Sequence, residues 1–180
     1  MPSPAPLETE LKLPVPGLAL LRPRLAALGF VEAIPPQAEH STLWDREGAL
    51  RAAGCALRLR DYAGEARLTW KGPRVPDAQL KIRPELETGV ADGRILEAIL
   101  RALGFAPVLV LEKVRAVWRR GALEACLDET PFGCFLELEG EPGAIRSTLA
   151  DLGLDPGRAE PRSYPELYQA HGLGGITPLR

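Results

Sequence analysis

Histidine and cysteine are scarce in this chain, two of the first and three of the second among 180 residues. Cys55, Cys126 and Cys134 form no Cys-x-x-Cys pair, and His40 and His171 stand in no motif. A zinc-type cluster is therefore excluded, and the cysteines are expected as reduced, buried thiols. An excess of charge of either sign is missing too. Lys and Arg total 22 against 24 Asp and Glu, a net charge of −2, which gives no electrostatic case for nucleic acid or an anionic membrane as principal partner. No apolar run approaches the length of a bilayer span. The Pro-rich start Met1-Pro2-Ser3-Pro4-Ala5-Pro6 has neither the basic nor the apolar part of a signal peptide, so the expected location is cytoplasmic.

What remains is ordinary for a folded protein, with 46% hydrophobic and 26% charged residues. The length suits one domain and is marginal for two, so residues 1–180 are read as a single domain with its elements between about 7 and 170. Any site for an anion must then be a local concentration of charge.

Such a concentration is visible in the alternation. Leu7 to Leu13 alternates apolar and charged residues, so a strand there sets Glu8, Glu10 and Lys12 on one face, roughly 6.7 Å apart. Arg58 with Arg60, Lys81 with Arg83, Glu85 with Glu87, Lys113 with Arg115 and Glu137 with Glu139 repeat the pattern. Both signs of charge recur on one-sided faces, the arrangement expected of a sheet whose faces converge on a highly charged ligand and its metal ions.

The first strand is expected to stop at Pro14-Val15-Pro16-Gly17. A helix through Leu18, Leu21, Leu25 and Leu28 follows, with Pro23 in its first turn and Gly29 at its end. Pro35-Pro36 reads as a break before an extended segment from His40 to Asp45. Cys55–Tyr62 and Ala66–Lys71 alternate on either side of an Ala63-Gly64 hairpin turn. Leu80–Glu87 is a further strand, in which Pro84 suggests an edge or a bulge. Ile95 to Leu103 is an amphipathic helix. Strands over Val108–Trp118, Leu123–Asp128 and Phe135–Glu139 come next, then a helix near Ala144–Leu152 and a short one from Ser163 to Tyr168. The order β-α-β-β-β-β-α-β-β-β-α predicts an α+β protein whose antiparallel sheet closes, or nearly closes, on itself with helices outside. Its polarity is inverted for a small barrel: charge inside, apolar side chains toward the helices.

In sequence order, Glu8-x-Glu10-x-Lys12, Leu57-Arg58-Leu59-Arg60, Leu68-Thr69-Trp70-Lys71-Gly72-Pro73, Arg83-x-Glu85-x-Glu87, Glu112-Lys113-x-Arg115, Asp128 and Glu137-x-Glu139 resemble the motif set of the CYTH domains, the triphosphate tunnel metalloenzymes. The resemblance runs from Glu8 to Tyr168. It implies an eight-stranded antiparallel tunnel that binds a triphosphate with magnesium or manganese. Activities in the family include hydrolysis of inorganic triphosphate, thiamine triphosphate or nucleoside triphosphates, and cyclisation of ATP by class IV adenylate cyclases. The tail Glu160-Pro161-Arg162-Ser163-Tyr164 resembles the cyclase-related branch, which does not fix the reaction.

The residue chemistry fits that implication. Arg58, Arg60, Lys71, Lys81, Arg83, Lys113 and Arg115 are the cations for a triphosphate, arginine as a bidentate fork and lysine as a point charge. Hard divalent ions take oxygen, so Glu8, Glu10, Asp128, Glu137 and Glu139 are the metal candidates. Lys12 and Glu10 are the candidate catalytic residues. Glu85, Glu87 and Glu124 are expected to balance positive charge, and Arg67, Arg119 and Arg120 to lie at the surface. His40 and His171 are expected at the surface or hydrogen-bonded, and Tyr164 to anchor the C-terminal segment. The expected partner is a triphosphate-bearing small molecule, with the protein a monomer or homodimer. The leading reading is a metal-dependent triphosphatase; the alternatives are a class IV adenylate cyclase and a non-catalytic triphosphate or polyphosphate sensor, which would gain nothing from the acidic pairs unless it needed metal.

Overall fold

The alternating segments become eight strands in a computed structural model that describes residues 5–77 and 79–173. They are β1 (Leu7–Val15), β2 (Val31–Asp45), β3 (Ala56–Tyr62), β4 (Glu65–Lys71), β5 (Lys81–Val90), β6 (Ala106–Arg120), β7 (Leu123–Thr130) and β8 (Gly133–Glu139). Five helices intervene or follow: α1 (Leu21–Ala27), α2 (Ala49–Ala52), α3 (Gly93–Ala102), α4 (Pro142–Asp151) and α5 (Tyr164–Ala170). All strand pairs are antiparallel, and the sheet closes in the order β1-β5-β4-β3-β2-β6-β7-β8.

Period-two alternation decides which side of this barrel is oily. On β1, Leu11 and Leu13 point outward and pack with Leu136 and Leu138 of β8, Leu25 of α1 and Ile145 and Leu149 of α4. Burying side chains of this size stabilises by about 1.5–3 kcal/mol each, so the main core lies between barrel and helices and leaves the lumen free for polar groups. A second cluster, Trp44 and Leu59 under Leu100, seats α3 on the opposite side. Asp92 caps α3 through the N–H groups of Arg94 and Ile95, and Ser163 with Glu166 forms a capping box on α5. Ala63 and Gly64 both have positive φ, 54° and 80°, the geometry of the tight hairpin turn between β3 and β4.

The prolines correct several expected boundaries. β1 runs through Pro14 to Val15, and β2 continues through Pro35-Pro36, where the pairing with β6 shifts register between Glu32, Ile34 and Gln37. A bulge leaves backbone groups unpaired, so the missing proline N–H costs the ladder nothing there. Pro84 lies on no edge, because a closed barrel has none. It sits at a hand-over: Pro84 is the last β5 residue paired with β1, and the pairing with β4 starts at Glu85. The structure adds helix α2 and a 3-10 turn at Pro156–Arg158 to the expected elements. Of the three free cysteines only Cys126 is buried. Arg120 does not float at the surface: it donates to Leu28 O and Thr148 Oγ1 and lies over the Phe30 ring, tying α1 to α4. No helix of the described residues is long and apolar enough to cross a membrane.

Candidate active site

The inward faces enclose a cavity of about 1120 Å³. Glu10 from β1, Arg58 from β3, Lys81 from β5, Arg115 from β6 and Glu137 from β8 all line it, as do Glu8, Arg60, Lys71, Arg83, Lys113 and Glu139. Residues as distant in sequence as Glu8 and Glu139 meet here because each is the inward member of its strand.

Register sets the ion pairs. Glu10 stands opposite Lys81, and Lys81 Nζ donates to Glu10 Oε1 at 2.5 Å. Lys71 stands opposite Glu85 and bridges two acids, 2.8 Å from Glu85 Oε2 and 2.5 Å from Glu8 Oε2. Arg60 and Arg67 hold Glu87, which also accepts from Thr69 Oγ1 at 2.8 Å. Arg83 is fixed by two backbone carbonyls, donating to Gly72 O at 2.6 Å and Gly54 O at 2.8 Å. Arg58 Nε and Arg60 Nε are buried without a hydrogen-bond partner among the described residues, donors held in a charged cavity with capacity to spare.

Asp128 is the most enclosed acid of the set, with no exposed surface. Arg115 donates to both its oxygens at 2.6 Å, Lys113 adds a bond of 3.1 Å, and the Tyr164 hydroxyl donates to Oδ2. Those cations hold its carboxyl well below the usual range against the opposing effect of burial. Expected among the metal ligands, Asp128 has both oxygens engaged by protein donors.

Lys12, the expected catalytic lysine, lies under the C-terminal segment. Its Nζ donates to Arg162 O at 2.5 Å and stands 4.2 Å from the Tyr164 ring centroid, and it lines a side cavity of about 230 Å³ that shares Glu10 and Lys81 with the main one. Burial, with Lys81 and Lys113 nearby, brings its ammonium down to about 8 against the pull of Glu137 and Glu10.

The acids of β7, β8 and β1 form a row. Glu124 is registered with Glu139, and Glu139 with Glu10. Like charges directly opposite across strands are destabilising. Arg119 serves one end of the row and Lys81 the other, while Glu139 has no ion-pair partner among the described residues. Burial and the carboxylates of Glu124, Glu10 and Glu85 push Glu139 up to about 7 despite Lys71. Burial and a hydrogen bond to Glu85 likewise push Glu8 up to about 8 against the pull of Lys71. Glu10, held down by Lys81, Lys71 and Lys12 in spite of its burial, stays ionised. Among the described residues no three His, Cys, Asp or Glu side chains converge as a ready-made metal cage. Magnesium needs none, being commonly held by one or two carboxylates with waters and substrate phosphates, so Glu139 with Glu10 or Glu8 fits such an ion.

The structure adds one residue to the site and extends the role of another. Glu39 on β2 is buried beside Lys113, Arg115 and Arg60. The expected extended segment begins at His40, one residue later, and it is the pairing of Glu39 with Lys113 that turns Glu39 inward. Tyr164, expected only to anchor the tail, does so by reaching the site: its ring lies 4.2 Å from both Lys12 Nζ and Lys113 Nζ. Helix α5 thereby lines one end of the cavity, with Tyr168 packed on Leu109 and Leu111.

An inverted closed barrel with mixed charges in its lumen defines a tunnel-type domain, and the sequence profile of the CYTH domain matches residues 6–164. The chain belongs to the CYTH domain family. It is 31% identical over 137 residues to a candidate adenylate cyclase of Methanocaldococcus jannaschii, spanning 74% of this chain and 76% of that protein. Among solved structures, a Pyrococcus horikoshii protein matches with a TM-score of 0.75 at 23% identity, over 89% of this chain and 98% of that one. A candidate adenylyl cyclase from Hippeastrum, described as having a dominant triphosphatase activity, matches with a TM-score of 0.71 at 21% identity, over 96% and 97%.

Proposed function

We propose that this protein is a metal-dependent phosphohydrolase that cleaves a terminal phosphoanhydride of a triphosphate-bearing small molecule. The observation that carries the reading is the shared cavity lined by Arg58, Arg60, Lys81 and Lys113 together with the acids Glu10 and Glu139. A polyanion is accommodated in a low-dielectric tunnel only if cations replace its water, and the under-bonded guanidiniums of Arg58 and Arg60 suit that role. Magnesium or manganese, when bound, would polarise the phosphorus and lower the pKa of a nucleophilic water.

The protein's own contribution is positioning and charge. Arg58 and Arg60 orient the phosphate chain, Lys113 and Arg115 neutralise it from the β6 wall, and Asp128 keeps those two in place. Lys12, held beside Glu10 and Lys81 in the side cavity that shares both with the main one, supplies positive charge near the terminal phosphoryl group as it passes to water and the diphosphate leaves. Phosphoryl transfer asks for little more.

A second reading, cyclisation of ATP, draws on the apolar wall of Leu43, Leu109, Leu111 and Tyr168 at the α5 end, which could take a base, and on the name of the Methanocaldococcus relative. The two differ in which phosphorus faces the nucleophile. Incubating the purified protein with inorganic triphosphate, thiamine triphosphate and ATP, under magnesium or manganese, separates them by product. Orthophosphate is expected; cyclic AMP with stoichiometric pyrophosphate would reverse the ranking, and tight metal-dependent binding without turnover would make the protein a sensor.

A further inference from the structure

Glu39 stands on β2, four strands from β1 in either direction around the closed barrel, so it faces the Glu8–Glu10 wall across the cavity. Its Oε1 accepts a hydrogen bond from Ser41 Oγ at 3.2 Å and lies 3.7 Å from Lys113 Nζ. Its Oε2 lies 3.7 Å from Arg115 Nε and 3.9 Å from Arg60 Nη1, and has no hydrogen-bond partner among the described residues. Asp128 grips the same Arg115 and Lys113 with bonds of 2.6 to 3.1 Å. One carboxylate therefore fixes where these cations stand, while the other adds charge beside them almost without bonds.

That charge is permanent. Burial would raise the Glu39 carboxyl, but Lys113, Arg115, Arg58 and Arg60 bring it down to about 2, far below any working pH. A phosphate approaching Arg60, Lys113 and Arg115 must share them with an anion already in place, in surroundings where charges are weakly screened.

We infer that Glu39 is an affinity-setting residue, a built-in competitor that weakens polyanion binding at Arg60, Lys113 and Arg115 and so speeds the departure of phosphate products. This rests on the triphosphate reading above. The claim has an unusual sign: removing a charged residue from the site should tighten binding. Coulomb's law at an effective dielectric of about 20 and a separation of about 7 Å makes one unit of charge worth a factor of order ten or more.

Glu39→Gln preserves shape and can keep the Ser41 contact, so it tests charge alone. Calorimetric titration of inorganic triphosphate and of pyrophosphate should show both binding at least about ten-fold tighter than to wild type, and in turnover assays KM and kcat should fall together. Glu39→Asp, which keeps the charge, should bind within about two-fold of wild type. Equal or weaker binding by a folded Glu39→Gln variant overturns the inference, as does equal tightening in Glu39→Asp. Failure of Glu39→Gln to fold overturns it too, since a carboxylate needed for folding does not act through its field alone. Wild type that binds no triphosphate removes the functional reading and this inference together; wild type that binds while Glu39→Gln binds no tighter removes only the inference.

Discussion

Asp128→Asn isolates the scaffold of the site from its chemistry. The substitution keeps the volume, so no cavity opens, but it removes the charge that faces Arg115 and Lys113 and turns an amide N–H₂ toward donors. Asp128 has no exposed surface and accepts from Arg115 twice, from Lys113 and from Tyr164. Breaking a buried pair by removing one partner costs about 3–5 kcal/mol. The lower end applies, because Glu137 also accepts from Arg115 and Glu39 remains near it. A loss of about 3 kcal/mol in a domain of this size lowers the melting temperature by roughly 6–12 °C. Urea unfolding followed by circular dichroism measures the first figure, and thermal melts the second. Tyr164→Phe should cost about 1.5–3 kcal/mol, and the double variant less than the sum, since the two share a hydrogen bond. Metal titration of Asp128→Asn should match wild type, because its oxygens are taken by protein donors. A destabilisation below about 1 kcal/mol, or a large loss of metal affinity, would refute the scaffold reasoning.

The remaining expectations concern the acid row, the cations and pH. Glu139→Gln and Glu137→Gln should fold normally and lower turnover by a factor of order one hundred; unchanged kcat and metal titration in both would make the β8 pair structural. Arg58→Ala should mainly weaken triphosphate binding and Lys12→Ala mainly lower kcat, which steady-state kinetics separates. Metal-free protein should lose stability as pH rises from about 5 to 7.5. Glu8 holds its proton up to about 8 and Glu139 up to about 7 when folded, but both release it near the ordinary 4.5 when unfolded, so the unfolded state holds fewer protons in that window. The contributions of Glu10, Glu39 and Asp128 have the opposite sign and are lost only at lower pH, as their depressed groups protonate. Urea midpoints for wild type and Glu8→Gln at several pH values test this, and an equal slope in both would remove Glu8 as the cause.

Alternation by itself determined the strands and their charged faces. Side chains two residues apart share a face whatever the strand pairs with, so Glu8 with Glu10, Arg58 with Arg60 and Lys113 with Arg115 could be grouped before any partner was known. The inverted polarity followed too, since the Leu stripes of the helices needed the opposite, apolar faces. Only tertiary structure decided what each charge meets. Pairing register put Glu139 between Glu124 and Glu10 with no ion-pair partner among the described residues, and it placed Glu39 beside Lys113. It also carried β2 through two prolines by shifting at bulges, which local propensity reads as a break. The packing of α5 laid Tyr164 over Lys12 and Lys113 and filled Asp128. A period-two pattern is a property of one strand, whereas the field at a buried carboxylate is a sum over neighbours from several, and closure of the barrel chooses those neighbours.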